Sequence, residues 1–276
     1  MKQFADVARV PGDPILGLLD AYRADPNPAK LDLGVGVYKD ALGLTPIPKA
    51  VKLAEQRLID SEQTKSYIGG HGDPLFGEQL LQLVLGEGSP ALVEHRAGCT
   101  QTPGGTGALR LVGDFIAKCL PGRSLWLSDP TWPIHETLFA AARLKVEHYP
   151  YVDAQNRLDV PAMLAALEQI PSGDVVLLHA CCHNPTGYDL SRDDWRQVLE
   201  IVRRRELLPL FDFAYQGFGD GLDEDAWAVR LFVAALPEVL ITSSCSKNFG
   251  LYRERTGALI VVAADGESLI DVRSQF

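Results

Sequence analysis

Between Ser124 and Ala263, short aliphatic runs alternate with longer segments of helical periodicity, and that alternation admits few folds. Ser124–Ser128, Lys145–Tyr149, Asp174–Ala180, Leu208–Phe213, Val239–Thr242 and Ala258–Ala263 read as strands. Val175-Val176-Leu177-Leu178 is apolar at every position, as a strand covered on both faces requires. Helices are expected over Trp132–Ala142, Val160–Ile170, Ser191–Arg205 and Asp225–Ala235, the third opened by the capping-box pattern Ser191-x-x-Asp194. The rhythm predicts an α/β fold, a mainly parallel sheet with helices on both faces.

Upstream, residues 1–14 read as an arm, and Ile15–Arg23 as a short helix with Asp13 as its N-cap. Asp25-Pro26-Asn27-Pro28 breaks the chain, and Leu31–Tyr38 reads as an extended stretch carrying Gly34 and Gly36. Further helices are expected over residues 47–60, from Pro74 to about Leu85, and over Gly105–Leu120. Another begins near Glu267, and no cap or turn is visible before Phe276.

The net charge of −10 argues against nucleic acid or an anionic membrane as the main partner. The five cysteines include no C-x-x-C pair, and Cys181 and Cys182 are adjacent. That pattern suits reduced thiols in a cytosol better than a disulfide framework or a zinc site. No apolar signal region opens the chain and no run of 18 or more apolar residues occurs, so a cytoplasmic protein without membrane or metal is expected.

In open α/β sheets, ligands sit outside the carboxyl ends of the strands. Asp212 and Tyr215 follow one strand, Asn184 another, Lys247 a third, and Asp129 and Trp132 a fourth. A lysine there forms Schiff bases when burial or a nearby cation lowers its pKa. Arg255 could supply that cation and also fork onto a phosphate. Gly104-Gly105-Thr106-Gly107 opens a helix whose free N–H groups suit a phosphate, although no strong strand is visible before it. It has neither nucleotide P-loop nor dinucleotide spacing. Asp212, in Leu210-Phe211-Asp212-Phe213, needs a cationic partner, and a pyridinium N–H would serve. Trp132 can stack on a flat ring, and Asn184 and Tyr215 can hydrogen-bond a phenolate. His179 is expected to bond Asp212. Each residue also has a plain reading: a loop lysine, a helix start, a turn-capping Asp, a core Trp, a turn Asn.

Together these residues carry a family resemblance. Ser-x-Ser-Lys-Asn-Phe-Gly-Leu-Tyr-x-Glu-Arg from Ser244, Cys-Cys-His-Asn-Pro-Thr-Gly from Cys181 and Phe-Asp-Phe-Ala-Tyr-Gln-Gly-Phe from Phe211 resemble the class I aspartate/aromatic aminotransferases. Gln-Thr-Pro-Gly-Gly-Thr-Gly-Ala-Leu-Arg from Gln101 and Leu-Gly-Val-Gly-Val-Tyr-Lys-Asp from Leu33 do likewise. The likeness is greatest to the bacterial aromatic (tyrosine) members. It implies pyridoxal 5′-phosphate (PLP) on a fold-type I scaffold, with residues 15–45 as the N-terminal part of a small domain and 46–276 as a large PLP-binding domain.

The resemblance also implies roles. Lys247 would carry PLP as a Schiff base and then move the substrate proton. Asp212 would pair with the pyridine nitrogen, Asn184 and Tyr215 would hold the ring oxygen, and Trp132 would stack on the ring. Gly105, Thr106, Ser244, Ser246 and Arg255 would hold the phosphate, and Tyr67 would reach the phosphate of the other subunit of a homodimer. Gly36, Trp132 and Asn184 would contact substrate. The expected reaction moves an amino group between tyrosine, phenylalanine or aspartate and a 2-oxo acid such as 2-oxoglutarate. Val37, Lys39, Thr45 and Thr106 look like aspartate-type choices, which keeps a strict aspartate aminotransferase open. The family's substrate-carboxylate arginine would lie beyond Phe276, so the sequence reads as a C-terminally truncated chain. A cofactor-binding but catalytically incomplete piece is the remaining alternative.

Overall fold

The computed structural model describes Phe4, Val7, Ala8, residues 14–31 and residues 36–276. Most of the expected arm, the Asp13 cap and positions 32–35 of the extended stretch lie outside the described residues. The chain divides into two compact units, Met1–Ile47 and Pro48–Phe276. In the first, α1 (Pro14–Ala24) ends before the two prolines. There Asp25 Oδ1 accepts the Asn27 N–H and Asn27 Oδ1 accepts the Ala29 N–H, each at 2.9 Å, so side chains turn the backbone.

The second unit runs α2 (Lys49–Ser61), α3 (Pro74–Leu85), α4 (Pro90–Val93), β1 (Ala97–Pro103), α5 (Gly104–Cys119), β2 (Ser124–Asp129), α6 (Ile134–Ala141) and β3 (Lys145–Pro150). It continues with α7 (Val160–Leu167), β4 (Val175–His179), α8 (Arg192–Arg204), β5 (Leu208–Phe213), α9 (Leu222–Asp225), α10 (Trp227–Ala235), β6 (Val239–Ser244), β7 (Thr256–Val262) and α11 (Gly266–Arg273). Local chemistry sets several starts. Asp73 accepts the N–H groups of Leu75 and Phe76 at the head of α3, and Asp159 accepts that of Ala162 in α7. The capping box of α8 is present, with Ser191 Oγ accepting from Asp194 N at 3.2 Å and Asp194 Oδ2 from Ser191 N at 3.0 Å.

One seven-stranded sheet has the order β1-β7-β6-β5-β4-β2-β3. Its alternating side chains feed two cores. Val176, Leu178, Phe211, Phe213, Val239, Ile241 and Ile260 face one core with residues of α3, α7, α8 and α10. Val175, Leu177, Leu208, Leu210, Leu240, Leu259 and Val261 face the other with residues of α5, α6 and α11. This two-sided burial is why the strand sequences are apolar at every position. Burying a side chain such as Phe211 contributes about 2–3 kcal/mol, and its ring meets Phe232 edge-on at 5.1 Å.

Two expectations need correction. A strand does precede the Gly104–Gly107 turn: β1, Ala97-Gly-Cys-Thr-Gln-Thr-Pro103, whose small and polar residues hide it from a search for apolar runs. The sheet is mainly parallel, as expected, with strand β7 antiparallel to both its neighbours, a direction that periodicity alone does not carry. The last helix does close, at Arg273, with the Ser274 N–H on Ile270 O at 3.0 Å and Phe276 edge-on to Phe115 at 5.4 Å.

Candidate active site

Antiparallel β7 has a consequence for chemistry. Its first residue pairs with Pro103, and Gly257 pairs with Ser244, so the start of β7 lies beside the ends of β1 and β6. Arg255, just before β7, is thereby brought to the start of α5. A Cβ built on Gly104 (φ +74°) would stand 2.8 Å from Arg255 Nη2, and one on Gly105 would stand 3.2 Å from Ser244 Cβ. Gly257 is required here. A Cβ on it would lie 2.5 Å from the Gly104 carbonyl carbon and 2.6 Å from Ser243 O.

The open N–H groups of α5, the hydroxyls of buried Ser244 and Ser246, and the Arg255 guanidinium form one donor cluster. The Ser246 N–H donates to Ser244 Oγ at 3.2 Å, fixing the turn. Such a cradle is sterically open only because glycines line it, and its donors match a phosphate dianion.

Lys247 follows β6 in a turn closed by Gly250 N–H on Lys247 O at 3.0 Å. Its ammonium lies 4.9 Å from the centre of the Tyr215 ring. Burial pulls the Lys247 pKa down, the Asp212 carboxylate opposes that, and Arg255 adds to it; the net shift is downward. The Tyr215 phenol is pushed up, by burial first and then by Asp212, so it remains a hydroxyl donor at neutral pH.

Asp212, next to the end of β5, is in register with His179 of β4. Burial would raise its pKa, but a hydrogen bond from His135 and the charges of His135, His179 and Lys247 outweigh that and hold it below the usual carboxylate range. The expected His179–Asp212 bond is not formed. Asp212 Oδ2 instead accepts from His135 Nε2 at 3.1 Å, because α6 aims His135 at the β5 end. His179 acts at a distance. The Asn184 N–H donates to His179 Nδ1 at 3.1 Å, leaving His179 Nε2 to donate to Thr131 Oγ1 at 3.3 Å. Thr131 Oγ1 also lies within hydrogen-bond distance of His135 Nδ1, at 2.8 Å. The contacts run from Asn184 through His179, Thr131 and His135 to Asp212.

The structure thus brings together Gly105, Thr106, Ser244, Ser246 and Arg255, links Lys247 to Tyr215 and Asp212, and ties Asn184 to Asp212 through the relay. Trp132 stands T-shaped on His135 at 5.3 Å. Tyr67 is fully exposed and joins none of these. Gly36 belongs to the first unit, where nothing lies within 4 Å of its would-be Cβ. Thr131 and His135 were missed in the sequence; their i, i+4 spacing after Asp129-Pro130 was the available signal. These residues fit PLP: the cradle's donors match a phosphate, and a charged, buried carboxylate matches a ring N–H.

The histidines make the site acid-sensitive. Burial, opposed by Asp212 and reinforced by His135, holds His179 near pKa 4, while burial and the charge of His179 hold His183 near 3. Both lie below their unfolded value, so the unfolded chain binds more protons below about pH 6.5. Stability is therefore expected to fall by about 3 kcal/mol from pH 6.5 to pH 5, before most carboxylates titrate. Urea midpoints across that range check this; a flat profile contradicts neutral burial of both rings.

Comparison with known proteins agrees with this geometry. The family model "Aminotransferase class I and II" matches residues 28–276. An aromatic-amino-acid aminotransferase of Pseudomonas aeruginosa is 78% identical over 275 residues, covering 100% of this chain and 69% of that relative. An aspartate aminotransferase of Salmonella typhi is 50% identical, covering 99% of this chain and 69% of its own length. The crystal structure of an aromatic-amino-acid aminotransferase from Burkholderia pseudomallei, covalently bound to pyridoxal phosphate, superposes with a TM-score of 0.96 at 43% identity. That match covers 100% of this chain and 69% of the other.

Proposed function

This chain belongs to the class I and II aminotransferases, and we propose that it moves amino groups from tyrosine and phenylalanine, ahead of aspartate, to a 2-oxo acid such as 2-oxoglutarate. The observation that carries the reading is Lys247, its pKa lowered by burial, over the Tyr215 ring and within the field of Asp212. The relative 78% identical to this chain is named for aromatic amino acids, which supports the order of donors.

Bound PLP supplies an electrophilic carbonyl and an electron-withdrawing ring. The chain's own residues do the rest. Lys247, whose lowered pKa eases loss of its proton, is the amine nucleophile and then the group that takes and returns the substrate proton. Asp212, its pKa held low, would keep a ring nitrogen protonated. Asn184 and Tyr215 would donate to the ring oxygen, and Trp132 would cover the ring face. The α5 N–H groups at Gly105 and Thr106, with Ser244, Ser246 and Arg255, hold the phosphate. Gly36 offers its backbone to substrate. In this reading residues 15–45 are the N-terminal part of a small domain and 46–276 a large cofactor-binding domain.

A homodimer fits the surface of the second unit. Helix α2 has no buried residue. Leu58, Ile59 and Ile68 are exposed at 58%, 76% and 58%, an apolar face that a second copy would cover. Tyr67, on that same stretch, is free to reach a neighbouring cradle. No described helix is long and apolar enough to cross a membrane. All five cysteines are free thiols, which supports a cytoplasmic setting.

The test is an absorbance spectrum of the PLP-loaded protein before and after adding tyrosine or aspartate. A cofactor band lost at lower tyrosine than aspartate concentration is expected. A band responding to aspartate alone would replace the reading with a strict aspartate enzyme, and one that ignores both amino acids would remove transfer altogether.

A further inference from the structure

We propose that a cavity at the sheet edge opposite Lys247 binds a multiply charged phosphate anion. Strands β2 and β3 begin there, at Ser124 and Lys145, whereas Lys247 and Asp212 lie where the parallel strands end. The cavity is an open cleft of about 530 Å³ lined by Lys118, Arg123, Arg143 and Lys145, with Asp114 as its one lining carboxylate. In a chain of net charge −10 this is a local inversion of sign.

The charges are not used up by neighbours. Asp114 is committed to Arg110 at 2.8 Å. Lys118 donates to the neutral Gln275 Oε1 at 3.0 Å. Arg123 is anchored by one Nη1–H on Gly173 O, which holds its guanidinium and leaves its other donors open. Only Lys145 is neutralised, by Glu147 at 2.6 Å. The Arg143 side chain has no hydrogen-bond or ion-pair partner among the described residues.

Arg143 supplies a second observation. It sits at φ +64° just past α6, a helix-terminating position where glycine is unstrained and a side chain is not. A guanidinium is kept there at a backbone cost. The carbonyl ends of α5 and α6 also point here, and cations near them offset that partial charge. Helix ends alone account for the sign of the charge, but not for a cleft or for an arginine kept at positive φ on its lining. Leu120 and Leu144 in the wall leave room for a small organic body carrying the phosphate.

The test uses the PLP-saturated protein, so that the α5 cradle is already filled. Pyrophosphate is titrated calorimetrically, and the Arg143→Gly and Lys118→Ala variants are run alongside. One further binding event is expected, weakened about tenfold by Arg143→Gly, the loss of one charge-assisted pair, and less by Lys118→Ala, with the PLP spectrum unchanged. Adenosine 5′-monophosphate against inorganic phosphate at equal charge separates an ester ligand from a free anion. No binding to the saturated protein, or binding that survives both substitutions, overturns the proposal. An Arg143→Gly protein that melts higher and binds pyrophosphate as before would assign the cations to the helix ends alone.

Discussion

Lys247→Ala is expected to reduce amino transfer by about 10⁴-fold or more, because one side chain serves as both nucleophile and proton carrier. Lys247→Arg should fare no better. It keeps the positive charge near Asp212 but stays protonated at any working pH and cannot form a Schiff base. The pair of variants therefore separates charge from chemistry. Neither should unfold the protein. Lys247 is half-buried in a turn whose closure uses backbone groups, and its ammonium rests on an aromatic face rather than in a core cluster. The measurement is the initial rate with tyrosine and 2-oxoglutarate, beside a thermal melt. A Lys247→Arg enzyme within tenfold of the parent would show that the lysine acts only through its charge.

The strand–helix rhythm was legible from Ser124 onward because two-sided burial leaves a continuous apolar signature. β5 was expected and is found over Leu208–Phe213, and α3 from Pro74 to Leu85. What was not legible depends on contacts between distant segments. β1 is held by pairing with β7, not by its own composition. The direction of β7 has no sequence period, yet it is what brings Arg255 to Gly104. Lys247, Asp212 and Tyr215 were readable from strand-end position and flanking residues. The His135–Asp212 bond was not, because His179 stands beside Asp212 in the sheet while the direct bond comes from another layer. The histidine expected to bond Asp212 sits on the neighbouring strand, and the one that does bond it comes from α6.

That relay shapes the second large effect. Asp212→Asn is expected to lower amino transfer about 10²–10³-fold, the cost of removing one preorganised electrostatic partner from a buried site. The amide oxygen can take the Oδ2 position and accept from His135 Nε2, while the amide NH2 donates to Thr242 Oγ1, which lies 3.4 Å from Asp212 Oδ1, so the fold should change little. What is lost is the negative charge facing the ring nitrogen. The lowered pKa of Asp212 sets a sign that can be checked. Its contribution to stability is present above the unfolded carboxylate pKa of about 4 and is lost only as pH falls through the lower folded value. The acid limb of the parent's rate profile should therefore not report Asp212, and Asp212→Asn should lower the profile without moving that limb. Rates from pH 5 to 9 with tyrosine, for parent and variant at saturating PLP, decide it. A variant that regains parental rate at low pH would mean that the charge is dispensable once the ring nitrogen is protonated by solvent, and Asp212 would then be an anchor for His135 rather than the partner of the ring.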